Sequence, residues 1–304
     1  MKYKLPNTNE SYIPRVHEFL VNLPQESLHY REYDLIHPAD VYMTVFDEVI
    51  ANGTRLLQEL ESMENQVLKR KGKHMNSLVL GFLFSISNYI DGCLSIIKST
   101  FPPKSKEVGK TTRTFKAKNK EYIDYVNKKV NYIKHRHRTI STILSSWDNE
   151  FIVGYFVQGW VEEGKLGPEP DIHEDPNCAI SLNWDISYHI YHVYELAVSL
   201  NVILAEAITS STKAKYPDLG SSEYIEFFDL ASKLKKNLHP DEFSKKQANV
   251  KSLGGNKFEL EYPSKVKPLN RKPHTMTVTF TSKLGVSSDS IVTPYRVLKD
   301  YRKK

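Results

Sequence analysis

Residues 134–138, with the sequence KHRHR, place two imidazoles among three cationic side chains. An imidazole can transfer a proton near neutral pH, and lysine and arginine can hold a phosphate group. His137 occupies the gap in an apolar series between Ile133 and Ile140, which predicts that it faces a core from one side of a helix. His137 is therefore the candidate acid-base catalyst, with Asn131 orienting a phosphate. A hydrogen-bonded core histidine fits the same pattern, and both interpretations stay open.

The charge around these histidines is strongly one-sided. Residues 104–138 contain twelve Lys/Arg and three acids, a net +9, and the chain as a whole is +6, so the remainder is −3. A local cationic segment favours a polyanionic partner such as nucleic acid, with RNA preferred to DNA. Tyr122, Tyr125 and Tyr132 are interleaved with the cations and could stack on bases. The predicted nucleic-acid-binding residues are Arg113, Lys128, Lys134, His135, Arg136 and Arg138.

This arrangement of arginine and histidine on one helix is similar to the layout of the HEPN group of helical ribonucleases, which place an Arg and a His a few residues apart at a dimer seam. The resemblance covers one helix and implies, as layout only, a metal-independent ribonuclease. No histidine follows Arg136 or Arg138 at the required distance, and the pair Arg70 and His74 lies too close together in a linker. No catalytic residue is therefore carried over from that group.

Long helices must position these residues. Apolar residues recur three and four apart in residues 39–71, 74–99, 119–146 and 183–209, which is the spacing of one helix side. Residues 102–118 are Lys- and Thr-rich and are predicted to be a loop. The expected fold is mainly α, a multi-helix bundle of long antiparallel helices with a small C-terminal β-hairpin or short sheet, α+β overall. The strand prediction rests on alternating apolar residues: Phe258, Leu260, Tyr262, Met276, Val278 and Phe280.

The predicted organisation has three parts. Residues 1–38 form an irregular N-terminal arm, and residues 39–240 form the helical bundle. The bundle contains the basic segment 104–138 and an acidic loop, 162–176, which is its natural intramolecular partner. Residues 241–304 form the β appendage and a basic tail.

Two polar residues lie within the apolar helix predicted over 74–99. Asp91 would place a carboxylate among apolar side chains, where it needs a partner, and Asn88 is its polar neighbour. Lys134, His137 and Arg138 are the candidate partners. The alternative is that Asp91 faces a gap that holds water.

A metal site is a weaker hypothesis. His189, His192 and Glu195 recur three apart and could bind a cation from one side of a helix. The acidic loop offers a second set of oxygen and nitrogen donors: Asp171, His173, Glu174 and Asp175. The sequence contains no phosphate-binding Gly-x-x-x-x-Gly-Lys loop, no Gly-x-Gly-x-x-Gly and no Gly-x-Ser-x-Gly, and we expect no cofactor.

Composition sets the remaining expectations. Only two cysteines, Cys93 and Cys178, occur in 304 residues, which gives no disulfide framework and, with the N-terminal sequence, favours a cytoplasmic protein. No apolar run is expected to span a membrane. The second functional hypothesis is a non-catalytic interaction protein whose basic helix docks an acidic partner or a second copy in a homo-oligomer. Whether the protein is an enzyme stays open.

Overall fold

Three long helices form the centre of the fold, and two sheets lie around them. The computed structural model describes eight ranges of the chain: residues 2–7, 10–65, 74–147, 150–173, 175–208, 222–266, 276–282 and 286–295. The helices in these ranges are α1 Val16–Val21, α2 Pro38–Asn65, α3 Met75–Ser99, α4 Lys106–Lys118, α5 Lys120–His135, α6 Pro170–His173, α7 Leu182–Ala207 and α8 Ser222–Ser232. The strands are β1 Lys2–Leu5, β2 Ile140–Trp147, β3 Glu150–Glu162, β4 Lys165–Pro168, β5 Ile180–Ser181, β6 Asn249–Gly254, β7 Lys257–Glu261, β8 Thr277–Thr281 and β9 Ser290–Ile291.

The helices α2, α3 and α7 confirm three of the predicted helical segments. α3 packs against both α2 and α7, and α8 and α1 cover α2. α4 and α5 also lie on α3, and α4 contacts α7. A helix with apolar residues nearly all round must be covered on most sides, and both α3 and α7 are buried along most of their length.

The strands form two sheets. The smaller sheet has the order β1-β7-β6, and the larger has the order β8-β2-β3-β4-β9, with β5 paired to β3. All pairings are antiparallel except that of β4 with β9. The hairpin between β2 and β3 pairs Ile140 with Val157, so the residues just after α5 lie beside the middle of β3.

The prediction of a helix bundle with a small C-terminal hairpin was wrong. The described residues are 54% helix and 19% strand, and six strands belong to one curled sheet, which makes this a mixed α+β fold. The N-terminal segment contributes β1, which pairs with β7. Strands from the C-terminal region enter both sheets, since β6 and β7 join the smaller one and β8 and β9 the larger.

The predicted helix over 119–146 was also wrong in its second half. α5 ends at His135, and residues 140–147 form β2. Ile140 and Leu144 continue the helical spacing of α5 by coincidence. The segment from Thr139 onward is rich in β-branched and Ser/Thr side chains, which favour a strand and compete with helical hydrogen bonds. In contrast, the predicted loop over 102–118 is largely the helix α4, whose first turn is capped by the hydroxyl of Ser105.

One helix, α3, is long and apolar enough to cross a membrane by length and composition alone. Within its most apolar window, 61% of the residues are buried inside the protein. The central helix of a soluble protein passes the same test, so this finding is weak evidence for a membrane span.

Two glycines of α3 provide a matched pair for testing the packing of α2 on α3. A Cβ at Gly92 would lie 2.9 Å from Cγ2 of Val45, whereas a Cβ at Gly81 would meet its nearest atom, Oδ1 of Asn52, at 3.4 Å. Alanine favours a helix over glycine by about 1 kcal/mol. We therefore expect Gly81→Ala to raise the free energy of unfolding by ~0.5–1 kcal/mol, and Gly92→Ala to lower it by ~1–2 kcal/mol through overpacking.

Chemical denaturation of the two variants and the unchanged protein measures this difference. Because both substitutions carry the same helix-propensity gain, only the surroundings of the new methyl group separate them. Equal stabilisation by the two alanines would contradict the close approach of α2 and α3 at Gly92.

Candidate functional site

The helix α5 presents a polar side to solvent. Five of its seven exposed residues are spaced four, four, three and four apart, which places them in one row on a helix. They are Lys120, Asp124, Lys128, Asn131 and His135. The opposite side is buried against α3 and the aromatic side chains of α7, and it comprises Tyr122, Ile123, Val126, Lys129 and Val130.

A lysine ammonium lies on the buried side of α5. The Lys129 side chain is 1% exposed, and its Nζ donates to the hydroxyls of Tyr125 at 2.6 Å and Tyr155 at 2.7 Å and to Oδ1 of Asp185 at 3.0 Å. All three ammonium protons thus have an acceptor, as a buried charge requires. Burial lowers the pKa of Lys129 to about 8 against the opposing effect of Asp185.

The carboxylate of Asp185 is equally well surrounded. The hydroxyl of Tyr155 donates to Oδ2 at 2.6 Å, the hydroxyl of Tyr125 donates to Oδ1, and Nε2 of His189 lies 3.4 Å from Oδ1. Burial by itself would raise the pKa of Asp185, but the Lys129 ammonium and the His189 ring outweigh burial and hold the pKa well below its usual range. Lys129 and Asp185 are therefore both charged at neutral pH.

This buried network joins three elements. Lys129 lies on α5, Asp185 on α7 and Tyr155 on β3, and Tyr122 of α5 forms a further hydrogen bond of 2.8 Å with Nδ1 of His189. A reactant could reach the ammonium only if the surrounding tyrosines moved away. We therefore interpret the network as the anchor that fixes which side of α5 faces solvent.

The exposed sides of α4 and α5, with the residues flanking them, form the surface that we call the basic surface. Of the twelve cations in residues 104–138, only Lys129 is buried, and Arg138 is half-buried beside Glu169. The ten exposed cations against three exposed acids leave a net charge of +7. The ten are Lys104, Lys106, Lys110, Arg113, Lys116, Lys118, Lys120, Lys128, Lys134 and Arg136.

Six of these ten cations are available to a ligand without loss of an ion pair, a hydrogen bond or a ring contact within the described residues. Lys110 lies 3.6 Å from Glu107, and Lys120 is paired with Asp124. Within the described part of the chain, six others have no ion pair, hydrogen bond or ring contact. These six are Lys104, Lys106, Arg113, Lys116, Lys118 and Lys128.

His137 does not face the core, and that prediction was wrong. The residue is exposed and follows the end of α5 with φ of 52° in the left-handed region. The N–H of Arg138 returns to the carbonyl of Tyr132 at 3.2 Å, so the chain turns there toward β2. Asn131 is exposed on α5. The structure thus places both His137 and Asn131 at the surface, and His137 does not lie on a side of a helix that faces the core.

The predicted binding residues fall into two groups. Arg113, Lys128, Lys134, His135 and Arg136 are exposed on α4, α5 or the turn after α5. The sixth residue is engaged within the protein, because Nε of Arg138 lies 3.4 Å from Oε2 of Glu169.

Part of the acidic segment does lie against the basic one. Glu169 contacts Arg138, and the hydroxyl of Tyr132 donates to Asp171 at the start of α6. The guanidinium of Arg136 lies over the ring of Tyr132, 4.1 Å from its centroid. The contacts engage only the end of α5 and the turn after it, and the cations of α4 are exposed.

Asp91 and Asn88 are exposed, so the prediction of a buried carboxylate was wrong. The amide of Asn88 donates to Oε2 of Glu48 at 3.2 Å. The signal in the sequence is a narrow polar strip, because Asn88, Asp91, Ser95 and Lys98 are spaced three, four and three apart on an otherwise apolar helix. Lys134, proposed as a partner of Asp91, instead lies over the ring of Phe84.

The described residues do not bring either set of candidate metal ligands together. His189 is fully buried in the anchor network, and Nδ1 of His192 lies 3.7 Å from Oε2 of Glu195. In the acidic segment, His173 accepts a hydrogen bond from the N–H of Val157, and Asp171 accepts one from Tyr132. Glu174 lies outside the described residues. Within the described ranges, no three His, Cys, Asp or Glu residues form a group that could hold a metal ion.

Sequence reasoning missed the anchor. Lys129 was counted with the basic segment, although it lies three residues after Val126 and four after Tyr125 on the buried side of the helix. Asp185 and His189 are four apart at the start of an apolar helix, which is the spacing of side chains that meet on one side. The sequence signal for this buried ion pair is a lysine at a buried position of one helix and a carboxylate at a buried position of another.

Comparison with known proteins adds no assignment. No protein-family model, curated protein or solved structure matches the chain. The charge and geometry of these residues are therefore the basis for a functional proposal.

Proposed function

We propose that the protein binds the phosphate backbone of nucleic acid through the basic surface of α4 and α5. The observation that carries this proposal is the exposed net charge of +7 on two consecutive helices and the residues flanking them, including six cations without an ion pair, hydrogen bond or ring contact in the described ranges. Each phosphate that such cations neutralise releases condensed counterions, which favours binding at moderate salt.

The distribution of charge favours binding of a polyanion at one part of the protein surface. The chain outside residues 104–138 has a net −3, so a polyanion is repelled from most of the protein and attracted to one part of it. The anchor beneath α5 stabilises this arrangement, because Lys129 and Asp185 keep the row of Lys120, Lys128 and His135 turned toward solvent. The surface is thus fixed before any ligand arrives.

Measurement of affinity against salt tests the proposal. We expect a fluorescein-labelled 20-mer RNA to bind at 50 mM salt and to lose affinity steeply by 200 mM, with a log-log slope of about −0.7 for each phosphate neutralised on a single strand. Lys118→Ala combined with Lys128→Ala removes two unpaired cations and should reduce the slope by about 1.4.

A matched control is available on the smaller sheet. Lys4 and Lys257 are exposed lysines of β1 and β7, and Lys4→Ala with Lys257→Ala changes the net charge by the same amount. This control should leave the slope unchanged. Absence of RNA and DNA binding at 50 mM salt would overturn the proposal, and equal effects of the two double variants would show that net charge, rather than the basic surface, governs binding.

The structure gives less support to catalysis than to binding. An acid-base ribonuclease needs an imidazole held in place by a second group and close to the cations that bind phosphate. The ring of His137 has no hydrogen bond or ion pair with any residue that the structure describes. We therefore propose that the protein binds nucleic acid. An assay of RNA cleavage by the His137→Ala variant and the unchanged protein tests the ribonuclease hypothesis separately.

A further inference from the structure

The tyrosines of α5 are not free to stack on bases. A base needs an open ring face, and the sequence suggested three such rings. In the structure the ring of Tyr122 is stacked on that of His192 with centroids 4.5 Å apart. The Lys129 ammonium lies 3.8 Å from the ring centroid of Tyr125. The rings of Tyr125 and Tyr188 pack edge-to-face, with their centroids 5.3 Å apart.

The ring of Tyr132, the third of these tyrosines, is also covered by a neighbouring side chain. The guanidinium of Arg136 lies 4.1 Å from the ring centroid of Tyr132, whose hydroxyl is bound to Asp171. Tyr122 and Tyr132 are also buried, at 2% and 8% exposure, and the aromatic residue of α4, Phe115, is fully buried. The basic surface therefore presents cations without aromatic platforms among its described residues.

The cations themselves are of the kind that bind phosphate without reading bases. Eight of the ten exposed cations are lysines, which act as point charges, whereas planar bidentate recognition of guanine depends mainly on arginine. Of the arginines, Arg136 is engaged over Tyr132 and Arg138 beside Glu169. Arg113 has neither kind of partner in the described ranges.

We propose, on the basis of the function proposed above, that the basic surface recognises the sugar-phosphate chain alone. Its affinity does not depend on base identity or on the presence of bases. It also does not distinguish RNA from DNA single strands, because that distinction requires a contact to the 2′-hydroxyl at a defined position. The substrate class is a nucleic-acid phosphodiester chain of any sequence.

An abasic oligonucleotide separates this proposal from recognition of bases. Fluorescence anisotropy of the full chain at 100 mM salt would compare a labelled abasic deoxyribose-phosphate 20-mer with dT, dA and rU 20-mers. We expect the four dissociation constants to agree within about threefold, since base stacking, worth about 1–3 kcal/mol per base, is absent. Binding of the base-containing strands more than about tenfold tighter than the abasic strand would overturn the inference and leave the proposed function intact.

The exposed amide of Asn131 provides a second measurement. It is the side chain on α5 most able to hydrogen-bond a base edge. Asn131→Ala should leave the ratio of abasic to base-containing affinity unchanged, and a change in this ratio would contradict the proposal. Failure of all four strands to bind would overturn the proposed function and this inference together.

Discussion

Acidification from pH 7 to pH 4 is expected to unfold the protein. Three imidazoles, two buried and that of His192 half-buried, produce the effect, because desolvation lowers the pKa of His173, His192 and His239 to about 3 in each case. The unfolded chain binds protons on these rings below about pH 6.5, whereas the folded chain does not until about pH 3. Stability is thus present above pH 6.5 and is lost progressively as the pH falls toward 3.

The surroundings of the rings show why protonation is unfavourable. Nε2 of His173 accepts a hydrogen bond from the N–H of Val157 at 3.0 Å, so a proton on that nitrogen would remove the acceptor. The ring of His239 is fully buried and is stacked on Tyr295, with centroids 4.7 Å apart. His192 is packed between aromatic rings of α5 and α7.

The size of the effect is large relative to the stability of a folded protein. Since one unit of pKa corresponds to about 1.4 kcal/mol, lowering the pKa of one imidazole from 6.5 to about 3 amounts to roughly 5 kcal/mol, of which roughly 3.5 kcal/mol is lost by pH 4. Native proteins are stable by only about 5–15 kcal/mol. Glu242, Asp241 and Glu169 act in the opposite direction, because burial raises the pKa of each carboxyl, that of Glu242 to about 7, so they contribute stability at acid pH that is lost as the pH rises. Asp185 acts with the imidazoles, because its pKa is held well below its usual range and its contribution is also lost on acidification.

Circular dichroism and tyrosine fluorescence between pH 8 and pH 3 measure the transition. His173→Gln keeps an acceptor oxygen near the position of Nε2 without a group that titrates in this range, and it should move the unfolding midpoint to lower pH. His135→Gln is the control, because His135 is exposed. A protein that stays folded at pH 3, or equal midpoints for the two variants, would contradict the argument.

The fold was only partly predictable from the sequence, for physical reasons. Helices longer than twenty residues repeat the apolar spacing many times, so α2, α3 and α7 were identified correctly. The transition from α5 to β2 was missed because Ile140 and Leu144 continue the helical spacing, and nothing local in the sequence reports that residues 140–147 pair with β3. Strand pairing depends on distant residues, whereas helix periodicity is local.

The candidate site was predictable where it depends on charge and unpredictable where it depends on packing. Net charge along residues 104–138 follows from counting, and ten of the twelve cations are exposed. The sequence cannot show that Lys129 is buried or that the face of Tyr132 is covered by Arg136, because both depend on how α5 lies on its neighbours. The prediction that His137 faces the core was wrong because α5 ends at His135, before that residue.

Asp185→Asn is expected to lower the free energy of unfolding by about 3–5 kcal/mol, because it leaves the Lys129 ammonium buried without a counter-charge. The ammonium keeps its contacts to Tyr125 and Tyr155, but hydroxyl oxygens do not neutralise it. Lys129→Met leaves the carboxylate with the hydroxyls of the same two tyrosines and should also destabilise. Urea denaturation monitored by circular dichroism measures both effects.

The double variant decides whether the two residues act as a pair. The variant with both Lys129→Met and Asp185→Asn buries neither of these charges. The free energy of unfolding of this double variant should therefore lie well above that of Asp185→Asn alone, with a coupling energy between the two positions of at least about 2 kcal/mol. Lys128→Met, which removes the adjacent exposed lysine, should change stability by less than about 0.5 kcal/mol. Additive losses from the two single substitutions would show that Lys129 and Asp185 do not stabilise each other, and the anchor beneath the basic surface would then need another explanation.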